Sequence, residues 1–119
     1  MTTANLIDAL KSLLEPGKLL TDSDSLNVYG KDWTKHFAPK PLAIAFPKSI
    51  EQVQAIVRWA NQHQVALVPS GGRTGLSAGA VAANGEVVVA FDYMNQILEF
   101  NEFDRTARCQ AGVVTKQLQ

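Results

Sequence analysis

The order of helical and extended signals along this sequence predicts an α+β fold: an N-terminal helix, a βαβ unit with a small parallel sheet, then further strands. Three observations carry that expectation. Leu6, Ile7, Leu10, Leu13 and Leu14 recur at the spacing of one helix face. Two short apolar runs, residues 42–46 and 65–69, bracket a stretch with helical periodicity, which is the pattern of a βαβ unit. Behind them, residues 86–91 form a strongly β-prone run.

In order, the leucine stripe predicts a helix over residues 3–15, capped by Thr2 or Thr3 and ended by Pro16-Gly17. The stripe reads as packing surface. Thr21-Asp22-Ser23-Asp24 offers capping groups for a short helix or turn reaching Tyr29-Gly30. Residues 30–41 are polar and loop-like, carry Trp33 and Phe37, and end in Pro39 and Pro41, which favour an extended approach to the next segment. Residues 42–46, stopped by Pro47, read as a buried strand. Ser49 and Gln52 have the spacing of a capping box. Behind them Ile50, Val53, Ile56, Val57 and Ala60 mark the inward face of a helix running to about Gln62. Residues 65–69 form the second strand, expected to pair in parallel with the first through a right-handed crossover.

Asn84-Gly85 signals a turn before the third strand, which Asp92-Tyr93-Met94-Asn95 breaks. Residues 97–101 and 106–111 read as two strands about a polar turn, with Leu98, Phe100, Ala107, Cys109 and Ala111 turned inward. Cys109 is then expected to be a small buried hydrophobe. The last residues begin a helix capped near Thr115 and stop within about one turn. A nucleus of that length costs more than it returns, so a longer parent polypeptide is expected.

Composition excludes several functions. With 119 residues, 46% hydrophobic and 18% charged, the chain reads as globular rather than disordered. Lys and Arg total 11, as do Asp and Glu, so no basic patch points to nucleic acid. No apolar run approaches the ~18 residues of a membrane span, and no signal-peptide pattern opens the chain. Cys109 is the sole cysteine, so no intrachain disulfide forms and a cytoplasmic setting is expected. The two histidines, His36 in a loop and His63 at a helix end, lack a paired base or nucleophile. Both read as surface residues, and no metal ligand set or catalytic residue is assigned.

The stretch that carries chemistry is Pro69-Ser70-Gly71-Gly72-Arg73-Thr74-Gly75-Leu76-Ser77-Ala78-Gly79-Ala80, directly behind the second strand. Glycine admits φ > 0 and close approach of another group, and a strand opening into such a loop can present converging N–H groups to an anion. Two readings fit the composition: a phosphate cradle, or an ordinary glycine-rich turn. A Rossmann fingerprint requires G-x-G-x-x-G, whereas Gly71 and Gly72 are adjacent. A Walker A loop requires Gly-Lys-Ser/Thr, whereas Gly79 precedes Ala80 and Val81. Any anion would therefore rest on loop N–H groups and the Thr74 and Ser77 hydroxyls.

Pro69-x-Gly71-Gly72-x-Thr74-Gly75-Leu76-x-x-Gly79 resembles the pyrophosphate loop of FAD-binding PCMH-type domains of the vanillyl-alcohol oxidase superfamily, and within it the FAD-linked 2-hydroxyacid dehydrogenases. Tyr29-x-x-Asp32-Trp33, Pro47-x-Ser49-x-x-Gln52-Val53, Met94-Asn95-x-Ile97 and Ala111-Gly112-Val113 stand at matching distances, so the likeness covers about residues 26–119. It implies a helical segment over 1–30, then the first part of an FAD-binding domain over 31–119. It implies that Gly71, Gly72, Arg73, Thr74, Gly75, Gly79 and Ala80 contact the FAD pyrophosphate. Arg73 either adds a guanidinium to that contact or is an exposed loop arginine. Relatives with covalent flavin carry histidine at the position of Arg73, so non-covalent FAD is expected. Many family loops have glycine at the position of Ala78, a minor change unless that residue needs φ > 0. The implied activity of the parent is oxidation of a small D-2-hydroxy acid by hydride transfer to FAD. Its substrate groups fall beyond residue 119 and its electron acceptor is unassigned. The chain alone is then expected to bind FAD weakly or not at all. The competing reading is a non-catalytic binding or structural module whose glycine loop is only a turn.

Overall fold

A computed structural model describes residues 2–34 and 37–118; His36 lies outside them. In chain order the elements are α1 (Thr3–Lys11), β1 (Leu19–Leu20), α2 (Ser23–Tyr29), β2 (Ala43–Ala45), α3 (Ile50–His63), β3 (Leu67–Ser70), β4 (Val87–Ala90), β5 (Ile97–Asn101) and β6 (Thr106–Cys109), followed by a single 3-10 turn at Thr115–Leu118. The α+β expectation holds.

The helix starts are set by their caps. Thr2 Oγ1 accepts from Asn5 N at 3.2 Å for α1, and Asp22 Oδ2 accepts from Ser25 N at 3.0 Å for α2. Ser49 Oγ accepts from Gln52 N at 3.2 Å for α3. The reciprocal bond of the capping box reaches one residue further back than expected, with Lys48 N donating to Gln52 Oε1 at 2.8 Å. At its far end α3 closes on Gln64, left-handed at φ 55°.

One sheet has the order β1-β2-β4-β3, with β4 parallel to both neighbours and β1 antiparallel to β2. This corrects the expected pairing: β2 and β3 are parallel but not adjacent, because β4 inserts between them. Val87, Val88, Val89 and Ala90 are all buried, and a strand apolar on both faces belongs where both edges and both faces are covered. The two-residue β1 had no sequence signal, being too short for a period to register.

Side chains alternate between two apolar layers. Ala45, Val87 and Val89 pack with Leu10 and Leu14 of the N-terminal segment and Ile56, Trp59 and Ala60 of α3. Ile44, Phe46, Val68, Val88 and Ala90 pack on the other face, with Leu26 and Tyr29 of α2 against them. The buried face of α3 is therefore Ile56, Trp59 and Ala60, while Ile50 and Val57 are exposed. The expected stripe was rotated by counting aliphatic residues and passing over Trp59. His63, in the last turn of α3, sets its ring 5.7 Å from that of Trp59.

β5 and β6 form a separate antiparallel hairpin with a register shift between Ile97 and Glu99. Leu98, Phe100 and Cys109 are exposed, which corrects the expected inward face and the buried cysteine. The alternation is real, but no second layer among the described residues covers it. Among the described residues, no helix is long and apolar enough to cross a membrane.

Candidate functional site

β3 and β4 are parallel and end level with each other, Ser70 opposite Ala90, so both chains leave the sheet at the same edge. In open α/β sheets ligands bind at the carboxyl ends of the strands. The glycine loop leaves β3 here, from a fully buried Ser70. Gly71, Gly72, Thr74, Gly75, Ser77 and Gly79 are exposed, and Arg73 and Ala80 are half-buried. Among the described residues, no main-chain N–H from Gly71 to Ala80 finds a protein acceptor. The loop is instead tethered by carbonyls: Gly75 O accepts from Trp33 N at 2.9 Å, and Ala78 O from Val81 N at 3.2 Å. Main-chain donors that the protein leaves unpaired in an exposed loop are open to water or to a ligand. A run of unclaimed donors beside a sheet edge is the donor set that a phosphate group requires.

The loop glycines do not take the conformation expected of them. Gly71, Gly72, Gly75 and Gly79 all have negative φ, and the left-handed positions are Arg73 at 61° and Ala78 at 63°. A left-handed L-residue costs about 1–2 kcal/mol. The substitution at Ala78 thus falls on a position that does need φ > 0, and it is not minor. What the glycines supply is room. A Cβ at Gly72 or Gly79 would meet nothing within 4 Å, and one at Gly71 would lie 3.7 Å from Ala111 O. At Gly75 it would lie 3.5 Å from Asp32 Oδ2. The bare backbone leaves space over its own N–H groups, which a side chain would fill.

Arg73 is not an exposed loop arginine: its side chain is half-buried and paired. Its Nη1 and Nη2 donate to Asp92 Oδ1 and Oδ2 at 3.2 and 3.1 Å, a bidentate pair, and Nη1 also lies 3.2 Å from Ser70 Oγ. The guanidinium sits 4.6 Å from the centroid of the Tyr29 ring. That ring is itself fixed edge-on against Phe46 at 5.0 Å. Planar guanidinium suits both a carboxylate fork and an aromatic face.

Two cavities meet at Gly72 and Arg73. One of about 440 Å³ is lined by Val28, Asp32, Trp33, Gly72 and Arg73. The other, about 300 Å³, is lined by Gly71, Gly72, Arg73, Asp92, Asn95 and Gly112. Tyr29, Asp32, Asp92 and Gly112 therefore belong to the neighbourhood of the loop, and the sequence pattern marks none of them as a site residue. Asp32, nearly buried, accepts from Thr34 N at 2.8 Å and backs Gly75. Gly112 donates to Met94 O at 2.8 Å, and a Cβ there would lie 1.8 Å from Phe91 O. Asp92 emerges beside the loop because it lies two residues past the end of β4, which is parallel to β3 and ends level with it.

The loop's donors, its open glycines and its place at the sheet edge fit a pyrophosphate. Residues 41–119 match the FAD binding domain family. The chain belongs to that family. Over its whole length it is 83% identical to a D-2-hydroxyglutarate dehydrogenase of Stutzerimonas stutzeri (strain A1501), covering 26% of that protein. It is 58% identical over 96 residues, 81% of the chain, to 20% of another from Xanthomonas citri pv. viticola. Among solved structures, p-cresol methylhydroxylase superposes with a TM-score of 0.82 at 25% identity, over 97% of this chain and 23% of that one. The chain thus spans about a quarter or less of the length of the proteins it matches. The resemblance to PCMH-type FAD-binding domains is borne out, as are FAD as the cofactor and the α+β fold of its first part.

Proposed function

We propose that the protein carrying this chain is an FAD-dependent dehydrogenase that oxidises D-2-hydroxyglutarate, and that residues 31–119 form the first part of its flavin domain behind a helical segment, 1–30. The observation that carries this reading is the unclaimed run of main-chain N–H groups between Gly71 and Ala80, on a chain of the FAD binding domain family.

In this reading the N–H groups of Gly71, Gly72, Arg73, Thr74, Gly75, Gly79 and Ala80 surround the FAD pyrophosphate, assisted by the Thr74 hydroxyl. Hydrogen bonds to a charged group of this kind contribute about 1.5–3 kcal/mol each. Arg73 contributes its main chain, since its guanidinium is engaged by Asp92. With arginine at position 73 the flavin is held without a covalent bond. Bound FAD supplies the hydride acceptor for the substrate α-carbon, and this chain's share is to bind and orient it. The substrate class rests on the relatives' activity. A reducing, cytoplasmic setting agrees with an exposed, unpaired Cys109.

The protein expressed from its complete gene should purify with flavin absorbance. Acid precipitation should release that flavin to the supernatant, and D-2-hydroxyglutarate should bleach it under anaerobic conditions. A colourless protein that also fails to take up added FAD would sink the reading. Flavin bleached only by a different 2-hydroxy acid would overturn the substrate and leave the cofactor in place.

A further inference from the structure

We infer that Asp92 is a positioning residue for flavin binding, acting through Arg73: their ion pair holds the loop in the kinked form that exposes its N–H groups, and keeps the guanidinium out of the phosphate site. This rests on the reading of the glycine loop as the pyrophosphate cradle.

Arg73 carries a left-handed backbone, φ 61°, in the middle of the unclaimed donors. Non-glycine residues persist in that region only where their surroundings over-determine them. Three contacts do so here. The Asp92 carboxylate takes both arms of the guanidinium, the Ser70 hydroxyl lies at 3.2 Å, and the Tyr29 ring lies beneath it. Each contact comes from a different part of the fold: the segment after β4, the end of β3 and the end of α2. The side chain thus ties the start of the loop to three fixed points. The pair is also only partly exposed, with side-chain accessibilities of 23% and 31%, so solvent screens it less than a surface pair. Asp92 and Arg73 line the same cavity as Gly71 and Gly72. A carboxylate there would repel a phosphate unless a cation neutralised it, and Arg73 does so at bonding distance.

The alternative, in which Arg73 is itself a phosphate ligand, predicts the opposite sign for one substitution. Removing Asp92 would then free the guanidinium and tighten FAD. If the pair positions the loop, Asp92→Ala and the near-isosteric Asp92→Asn should each weaken FAD about tenfold, roughly 1.4 kcal/mol. The measurement is titration of FAD into apoprotein from the complete gene, alongside the thermal midpoint of the apoprotein. We expect that midpoint to move little, Asp92→Glu to recover most of the affinity, and Arg73→Lys, which lacks the fork, to recover little relative to Arg73→Ala. Tighter or unchanged FAD binding by both Asp92→Ala and Asp92→Asn, with normal FAD uptake by the wild type, overturns this inference alone. So does a loss of affinity matched by a collapse of the apoprotein midpoint in both variants. A wild-type protein that takes up no FAD overturns the cradle reading together with this one.

Discussion

β4 and the glycine loop meet at the carboxyl end of the sheet and treat their main chains in opposite ways. β4 is buried over its whole length, paired on both sides, and relaxed in backbone. The loop, starting beside its end, is mostly exposed, donates no main-chain N–H to the protein among the described residues, and holds two non-glycine residues left-handed. On the function proposed above, the contrast assigns the binding chemistry to the loop. A loop can keep its donors unclaimed and its backbone strained only if its two ends are fixed, and here β3 fixes one end while buried Val81 and Ala82, with Ala82 N donating to Gly30 O, fix the other. Stability and binding should therefore separate: substitutions in the sheet should act on folding, and those in the loop on the flavin.

The largest effect should come from the sheet. Ile44 is fully buried between its neighbours on the α2 side, and Ile44→Ala should cost about 2–5 kcal/mol of stability, the transfer and cavity terms combined. Denaturant unfolding of apoprotein and holoprotein measures it, and the apoprotein should lose as much as the holoprotein. A loss confined to the holoprotein would erase the separation.

Gly112 tests the join between the two regions. A Cβ at 1.8 Å from Phe91 O and 2.9 Å from Met94 O meets main chain, which cannot swing aside as a side chain can. Gly112→Ala should cost about 3 kcal/mol, the upper part of the usual overpacking range, and should also weaken FAD because Gly112 lines the cavity beside Gly71 and Gly72. A variant with normal stability and normal FAD affinity would show that this segment does not brace the loop.

The same contrast explains what the sequence made legible. Continuous apolar runs and cap residues announced β2, α3, β3 and β4, because burial on both faces and a Ser49 or Asp22 cap leave local signatures. The order of neighbours was not local. β4 enters between β2 and β3 although the shortest connection would have paired those two. The hairpin alternates in the pattern of a half-buried sheet, yet alternation says only that two faces differ, and Phe100 is exposed. In the loop, composition suggested a conformation that its glycines do not take. Glycine content suggested left-handed turns, whereas Arg73 and Ala78 occupy those and the glycines leave room. The pairing of Arg73 with Asp92, 19 positions apart, depends on two parallel strands ending together, and no window along the chain contains it.

A pair of loop substitutions sharpens that distinction with smaller effects on folding. Gly72→Ala adds a methyl where nothing lies within 4 Å and φ is negative. Stability should stay within about 0.5 kcal/mol, while FAD binding should weaken about tenfold, because the methyl fills the space over the donors. Ala78→Gly runs the other way. Relieving the left-handed alanine gains about 1–2 kcal/mol, and the freer unfolded chain returns about 0.5–1 of it, for a net gain of roughly 0.5–1. Its FAD affinity should hardly move. Thermal midpoints read beside FAD titrations decide both, and a Gly72→Ala protein that unfolds early with unchanged affinity would reverse the assigned roles.

The smallest effect should come from the far end of the support. Tyr29, under the Arg73 guanidinium, is the last residue of α2, and α2 begins at the Asp22 cap. The Ser25 main-chain N–H holds the Asp22 carboxyl below its ordinary range, with the Ser25 hydroxyl adding to it. A carboxyl whose pKa is lower folded than unfolded contributes stability that is fully present above the unfolded value and is lost as pH falls through the folded one. Acid unfolding of the wild type should therefore include a small component from this cap, running from the ordinary carboxylate range downward. Asp22→Asn keeps a capping oxygen but cannot titrate. The variant should match the wild type closely near neutrality and show a shallower fall in acid. The FAD affinity of the two proteins should be equal near neutrality and should diverge in acid, if α2 holds Tyr29 under Arg73. Parallel acid curves for the two would mean that the cap and the loop are uncoupled.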